Sequence, residues 1–304
     1  MIAELHAVAD TTLVPTYTDP LELSQAMQGL HMRDMLGYDD DGADEDGVND
    51  IDISRMDPNH GNNDYQLGGS THLQQALHAL IAEYSDIFSY SVKGKAMDVP
   101  PMEFTVDRAQ WETNLNRAPS RHISTEKHDA LNTMVESLLE LGVIQPSKAT
   151  AWSQVHLVRK PNNGGWRFTI DYRSLNKVIS NEGWQIPNMK EMLTRIGSKK
   201  PRRFGVADLT QGFYQMPLHE NSRAPTAFIC FRGVYEWTRV PMGLLPSANF
   251  FQNSMIFYVF REPLYQICEV YIDDLLVYGH DDADFVANVR TIFQKCRDKQ
   301  NCNT

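Results

Sequence analysis

An α+β domain is the fold class that this sequence predicts, and three patterns predict it. Amphipathic stretches with apolar residues three and four apart are mixed with short period-2 segments. The period-2 segments come in pairs around turn residues, which makes them antiparallel hairpins. The regular strand-helix-strand alternation of a parallel sheet is missing. The 304 residues are 42% hydrophobic and 22% charged, which excludes a wholly disordered chain and permits a sizeable core.

The elements follow in order. Residues 1–70 hold 2 basic and 15 acidic residues; with the run Asp39 to Gly47 and the turn-rich Asp57 to Asn63, they are expected to form an acidic, mostly disordered linker with one short helix near Pro20 to Leu36. The acidic run lacks the alternating oxygen ligands, central glycine and closing glutamate of a calcium-binding EF-hand loop. Ser70 or Thr71 caps a helix through about Tyr84, with Leu73, Leu77, Leu80 and Ile81 on one face. After Pro100-Pro101 a second helix runs from Ser124 through Leu131, Met134, Val135 and Leu138 to a stop at Gly142.

Val155 to Lys160 and Trp166 to Tyr172 flank a glycine-containing loop and read as a hairpin. A short helix is expected over 188–196, and Arg203 to Leu209 reads as a buried strand. A second hairpin is expected around Arg232-Gly233-Val234, and a core helix over Phe250 to Phe260. A third hairpin, over Cys268 to Val277, is expected to turn at Asp273-Asp274, and a last helix spans 282–297.

Charge and cysteines narrow the function. The net charge of −11 hides segregation, because residues 142–203 hold 12 basic and 3 acidic residues. Such a block suits a local phosphate-binding surface or, equally, a solvated face. Cys230, Cys268, Cys296 and Cys302 form no Cys-x-x-Cys pair, and no basic-then-apolar leader opens the chain. A disulfide scaffold, a zinc module and a secreted precursor are thereby disfavoured, and a reducing, intracellular compartment is expected. The densest apolar stretch, Phe250 to Phe260, is broken by Gln252, Asn253 and Ser254, so no membrane span is expected.

Three aspartates stand in otherwise apolar strand sequence: Asp208, Asp273 and Asp274. Each taken alone is a polar turn or a helix cap. Brought to ~4 Å, two carboxylates would repel by about 4 kcal/mol at an effective dielectric near 20, so clustering them requires a cation or a shared proton. Oxygen-only ligands favour magnesium or manganese, and paired ions are the usual clamp for phosphoryl displacement.

These residues resemble a known family. Tyr271-Ile272-Asp273-Asp274 is similar to the Y-x-D-D box of reverse transcriptases, and Val206 to Gln215 is similar to their other palm motif. Thr226-Ala227-Phe228, Tyr235-Glu236-Trp237, Val240 to Leu244, Ala248 to Gln252 and the fingers-like Trp166 to Lys177 follow in the family's order. The style is that of gypsy-type long-terminal-repeat retrotransposon Pol polyproteins.

The resemblance implies a right-hand polymerase fold. Residues 71–119 would lead into fingers at 120–203 and a partial palm at 204–304, with thumb, connection and ribonuclease H domains absent. It implies RNA-directed DNA synthesis by two-metal nucleotidyl transfer from a dNTP to a primer 3′-hydroxyl. Asp208, Asp273 and Asp274, with the Leu209 carbonyl, would hold two Mg2+ or Mn2+ ions. Lys160 and Arg167 would grip the triphosphate, Phe213 would exclude the 2′-OH, and Met242-Gly243 would flank the nucleotide. The implied partners are an RNA or DNA template with its primer and the remaining Pol domains, in the cytoplasm or nucleus. An inactive truncated remnant of the same fold and a basic nucleic-acid-binding module are the alternatives.

Overall fold

A computed structural model describes residues 2–9, 65–88, 95–159, 165–180, 187–209, 212–272 and 274–301. The expected helix near Pro20 to Leu36 and the acidic run lie outside them. Two five-stranded sheets organise the described residues. The first contains β1 (Ile2–Ala9), β2 (Tyr65–Leu67), β6 (Arg203–Leu209), β9 (Cys268–Tyr271) and β10 (Asp274–Gly279), in the order β2-β1-β6-β10-β9. The second contains β3 (Ile144–Pro146), β4 (Ser153–Arg159), β5 (Trp166–Ile170), β7 (Phe228–Cys230) and β8 (Gly233–Trp237), in the order β3-β8-β7-β4-β5.

The three expected hairpins form as antiparallel pairs, β4 with β5, β7 with β8 and β9 with β10. β7 and β8 join the strands of residues 144–170, so the sheets do not follow a division of the chain at residue 203. The N-terminus also differs from the linker expected of residues 1–70. Ile2–Ala9 pairs antiparallel along the outer edge of β6, and Tyr65–Leu67 pairs parallel to it. A strand of mixed apolar and polar residues gains backbone hydrogen bonds from a partner some two hundred residues away, a gain that local composition does not report.

Among the described residues, five α-helices of eight or more residues pack on this frame. α1 (Thr71–Glu83) starts where Ser70 Oγ accepts from the Leu73 N–H, and buries Leu73, Leu77, Leu80 and Ile81. It lies against α5 (Asp282–Asn301), where Tyr84 and Phe88 meet Phe293 at ring-centroid distances of 5.7 and 5.2 Å. α2 (Thr125–Glu140) buries Leu131, Met134, Val135 and Leu138. α3 (Met189–Lys199), capped by Asn188, seats Met192, Leu193 and Ile196 on Leu276 and Tyr278 of β10. α4 (Ser247–Ser254) passes into a π-helical turn over Met255–Val259, so the single helix expected over Phe250 to Phe260 changes pitch midway. That turn buries Met255 and Val259 and leaves Phe257 and Tyr258 about half exposed. Among the described residues, no helix is long and apolar enough to cross a membrane.

Candidate active site

The centre of the first sheet carries the aspartates. β6 and β10 pair antiparallel from Gly279 opposite Arg203 to Asp274 opposite Asp208. Two of the three predicted carboxylate residues therefore occupy one rung of the sheet. Asp273 and Lys160 lie outside the described residues. The turn differs from the expected one by a residue. Tyr271 pairs with Asp274, so the residues between the strands are Ile272 and Asp273, and Asp274 opens the second strand. A two-residue hairpin connection demands positive φ at its first position, and Ile272 adopts φ +52°. For a β-branched side chain this is a strained conformation that costs about 1–3 kcal/mol.

Two buried polar side chains brace the hairpin. Gln252 of α4, fully buried, donates from Nε2 to the Val270 carbonyl at 2.9 Å and accepts at Oε1 from the Ile272 N–H at 2.6 Å. Glu269 of β9 is also buried and receives a two-pronged contact from Arg195 of α3, with N–O distances of 3.1 and 3.0 Å. The carboxylate raises the Arg195 pKa further, and the guanidinium also lies over the Tyr265 ring at 4.5 Å. Lys199 of the same helix donates to the Gln266 carbonyl at 2.9 Å and to the Tyr278 hydroxyl at 3.2 Å.

Beyond β6, Phe213 and Tyr214 share the short helix Gly212–Gln215 and divide two roles. Tyr214 is the core aromatic: it is buried and stacks on Trp237 at 5.1 Å with rings 5° apart. Phe213 is only partly buried and leans on Phe251 at 5.2 Å. Gly212 permits that closeness, since a Cβ there would stand 2.6 Å from the Phe251 ring. The Leu209 side chain is buried at the end of β6.

The Met242-Gly243 loop packs Met242 against the core and turns at Gly243 with φ +88°. Asn176 holds it, donating to the Gly243 carbonyl at 2.8 Å and accepting from the Leu245 N–H at 2.9 Å. Ser247 Oγ adds a bond to the Pro241 carbonyl at 2.8 Å. Neither Asn176 nor Gln252 was predicted as a site residue, although both lie in segments that resemble the family's boxes; their partners are backbone groups of other elements.

Arg167 stands on β5 opposite Val158, partly buried, with a partly buried aromatic neighbour. That neighbour, Trp166, has Lys127 and Arg159 over its ring at 4.8 and 5.2 Å. Much of the basic block is tied internally. Arg159 pairs with Glu126, Arg173 with Asp171, Arg195 with Glu269 and Arg203 with Asp282. Arg173 holds the Asp171 carboxyl below the usual carboxylate range, chiefly by its side-chain hydrogen bond. Burial, and then Arg121, lowers the His156 pKa from its ordinary value. The surface is less cationic than the composition alone suggests.

Comparison with known proteins decides the family. Residues 158–302 match the family model described as reverse transcriptase (RNA-dependent DNA polymerase). The enzymatic polyprotein of cauliflower mosaic virus (strain Strasbourg) is 34% identical over 208 residues, 66% of this chain and 27% of its own length. The chain belongs to the reverse-transcriptase family. The Pol polyprotein of transposon gypsy from Drosophila melanogaster is 32% identical over 173 residues, 55% of this chain and 16% of that polyprotein. This reverse-transcriptase domain thus spans a minor part of the curated relatives it matches. Among solved structures, the foamy viral protease-reverse transcriptase in complex with an RNA/DNA hybrid superposes with TM-score 0.62 at 22% identity, covering 76% of this chain and 30% of that one. The expected fold and the expected retroelement family are both borne out.

Proposed function

We propose that this domain performs RNA-directed DNA synthesis, joining a dNTP to a primer 3′-hydroxyl, with Asp208, Asp273 and Asp274 as its metal-holding carboxylates. The observation that carries the reading is the register that sets Asp274 opposite Asp208 beside a strained two-residue turn. Like charges directly opposite on paired strands are destabilising unless something offsets them. A donor set of carboxylates and the Leu209 carbonyl is the hard-oxygen chemistry that Mg2+ or Mn2+ takes, so the residues fit two such ions. When bound, the ions supply charge neutralisation at the reacting phosphate.

The chain's own residues then do positioning. Phe213, partly buried beside the aspartate strand, would lie under the sugar and crowd a 2′-OH. The Gly243 backbone, held by Asn176, flanks the base side. Arg167 and Lys160, on the fingers at 120–203, steady the triphosphate, and arginine's rigid fork suits that task. The palm at 204–304 carries the chemistry, and residues 71–119 lead into the fingers. The RNA/DNA hybrid bound by the foamy viral relative supports a template–primer as the partner here. In a full-length element the remaining Pol domains complete the grip on that duplex.

The test is extension of a DNA primer on an RNA template with magnesium, comparing this chain, a chain continued through further Pol sequence, and Asp274→Asn in each. Extension that disappears with Asp274→Asn is expected. Extension equal in the variant and the parent would refute the assignment.

A further inference from the structure

We propose that Gln252 is a positioning residue of the active site, whose side chain sets the turn that carries Asp273 and Asp274. The inference rests on the polymerase reading for its purpose and on geometry for its substance. Gln252 is fully buried and projects from α4 to the hairpin behind the aspartates. Its amide satisfies two backbone groups on the two sides of Tyr271, accepting from the Ile272 N–H at 2.6 Å and donating to the Val270 carbonyl at 2.9 Å.

Chemistry narrows the residue type. The site asks one side chain to be donor and acceptor at once, and the carboxamide is the group that does both without charge. Glutamate keeps the acceptor and loses the donor. Leucine, close in shape, leaves a buried N–H and a buried carbonyl without that partner. The bond also falls on a turn residue that resists its own conformation. Ile272 holds φ +52°, which a β-branched residue avoids and glycine adopts freely. The hairpin therefore needs an external hold at this residue, and Gln252 supplies it from a helix whose next turn is π-helical. Partners standing behind a metal's ligands commonly change metal affinity ten- to a hundredfold when removed.

Two measurements on the full chain test this. Hydrogen exchange, followed by NMR with selective 15N-isoleucine, reads the Ile272 amide directly. Titration with Mn2+, followed by the electron paramagnetic resonance of free ion, reads the aspartates. The parent should protect the Ile272 amide. Gln252→Leu should speed its exchange at least tenfold and weaken Mn2+ binding by about tenfold or more, and Gln252→Glu should fall between them. In the Gln252→Leu background, Ile272→Gly should recover most of the lost Mn2+ affinity, because glycine meets the turn without a hold. A loss of packing alone would not be rescued at residue 272.

An Ile272 amide that exchanges in the parent like an exposed loop amide would overturn the proposal, as would unchanged exchange in Gln252→Leu or no rescue by glycine. Should Gln252→Leu fail to fold, the same readings on Gln252→Glu decide. Asp274→Asn separates the two claims. If it leaves Mn2+ binding unchanged, the metal reading fails, and amide exchange alone still judges the hold on the turn.

Discussion

Three glycines give a graded test of the packing around the two sheets. At Gly197, within α3, an added Cβ meets nothing within 4 Å, so Gly197→Ala gains helix propensity alone and should stabilise by about 0.5–1 kcal/mol. At Gly212 the same methyl would sit 2.6 and 2.7 Å from ring carbons of Phe251, which is fully buried. Overpacking of this kind costs about 1–3 kcal/mol, and the propensity gain returns under 1, for a net loss of about 0.5–2 kcal/mol. At Gly279 the methyl would stand 2.7 Å from the backbone N and Cα of Phe285. A ring can tilt, whereas the first turn of α5 cannot yield without moving the helix, so Gly279→Ala should cost about 3 kcal/mol. With ~2–4 °C of Tm per kcal/mol for a domain of this class, thermal unfolding followed by circular dichroism should place Gly197→Ala above the parent, Gly212→Ala below it and Gly279→Ala lowest. Gly279→Ala melting at or above the parent would refute the close seating of α5 on β10. Gly212→Ala melting with Gly197→Ala would refute the contact that holds Phe251 against the motif of Asp208.

Other consequences are open to direct measurement. Phe213→Ala, in a chain that extends a primer, should raise ribonucleotide incorporation relative to deoxyribonucleotide; an unchanged ratio returns Phe213 to a packing role. Arg195→Met strands the buried Glu269 and should cost about 3 kcal/mol in urea unfolding, while Arg195→Met with Glu269→Leu should recover most of it; equal losses in both would show that the pair is solvated. The depressed Asp171 carboxyl contributes stability that is present above the unfolded value of about 3.9 and is lost as pH falls through its lower folded value. Asp171→Asn should therefore flatten the loss of stability below about pH 4, and an unaltered acid limb would deny the contribution of the Arg173 contact.

Local pattern made the helices legible. The apolar spacing of α1 and α2 is a statement about neighbouring residues, and it survives folding unchanged. The apolar runs of β6 and β10 and the aspartates in them were legible for the same reason. The turn between β9 and β10 was misplaced by one residue because Asp-Asp is the better turn sequence locally. Tertiary pairing of Asp274 with both Asp208 and Tyr271 overrides that preference and forces an isoleucine into the left-handed region. Ile2–Ala9 was missed because its strand partner is remote in sequence. The roles of Gln252 and Asn176 were missed for the same cause, since each is defined by backbone groups of other elements.

The hairpin's bracing explains how a sheet tolerates what its sequence puts there. Aspartates on one rung, a β-branched residue at positive φ and a buried glutamate each disfavour the β6-β10-β9 pairing when taken singly. The offsetting groups all come from outside the three strands. Gln252 reaches in from α4, Arg195 and Lys199 from α3, and the apolar face of α3 covers Leu276 and Tyr278. Strain held in this way is local: it concentrates at the turn, while the flanking strands keep regular register down to Gly279 opposite Arg203. On the proposed polymerase reading, bracing of the hairpin from two helices would serve the preorganised charge placement that is the larger share of what phosphoryl transfer asks of a protein. On that reading, the two helices that brace the hairpin would belong to the catalytic architecture as much as the strands that bear the aspartates.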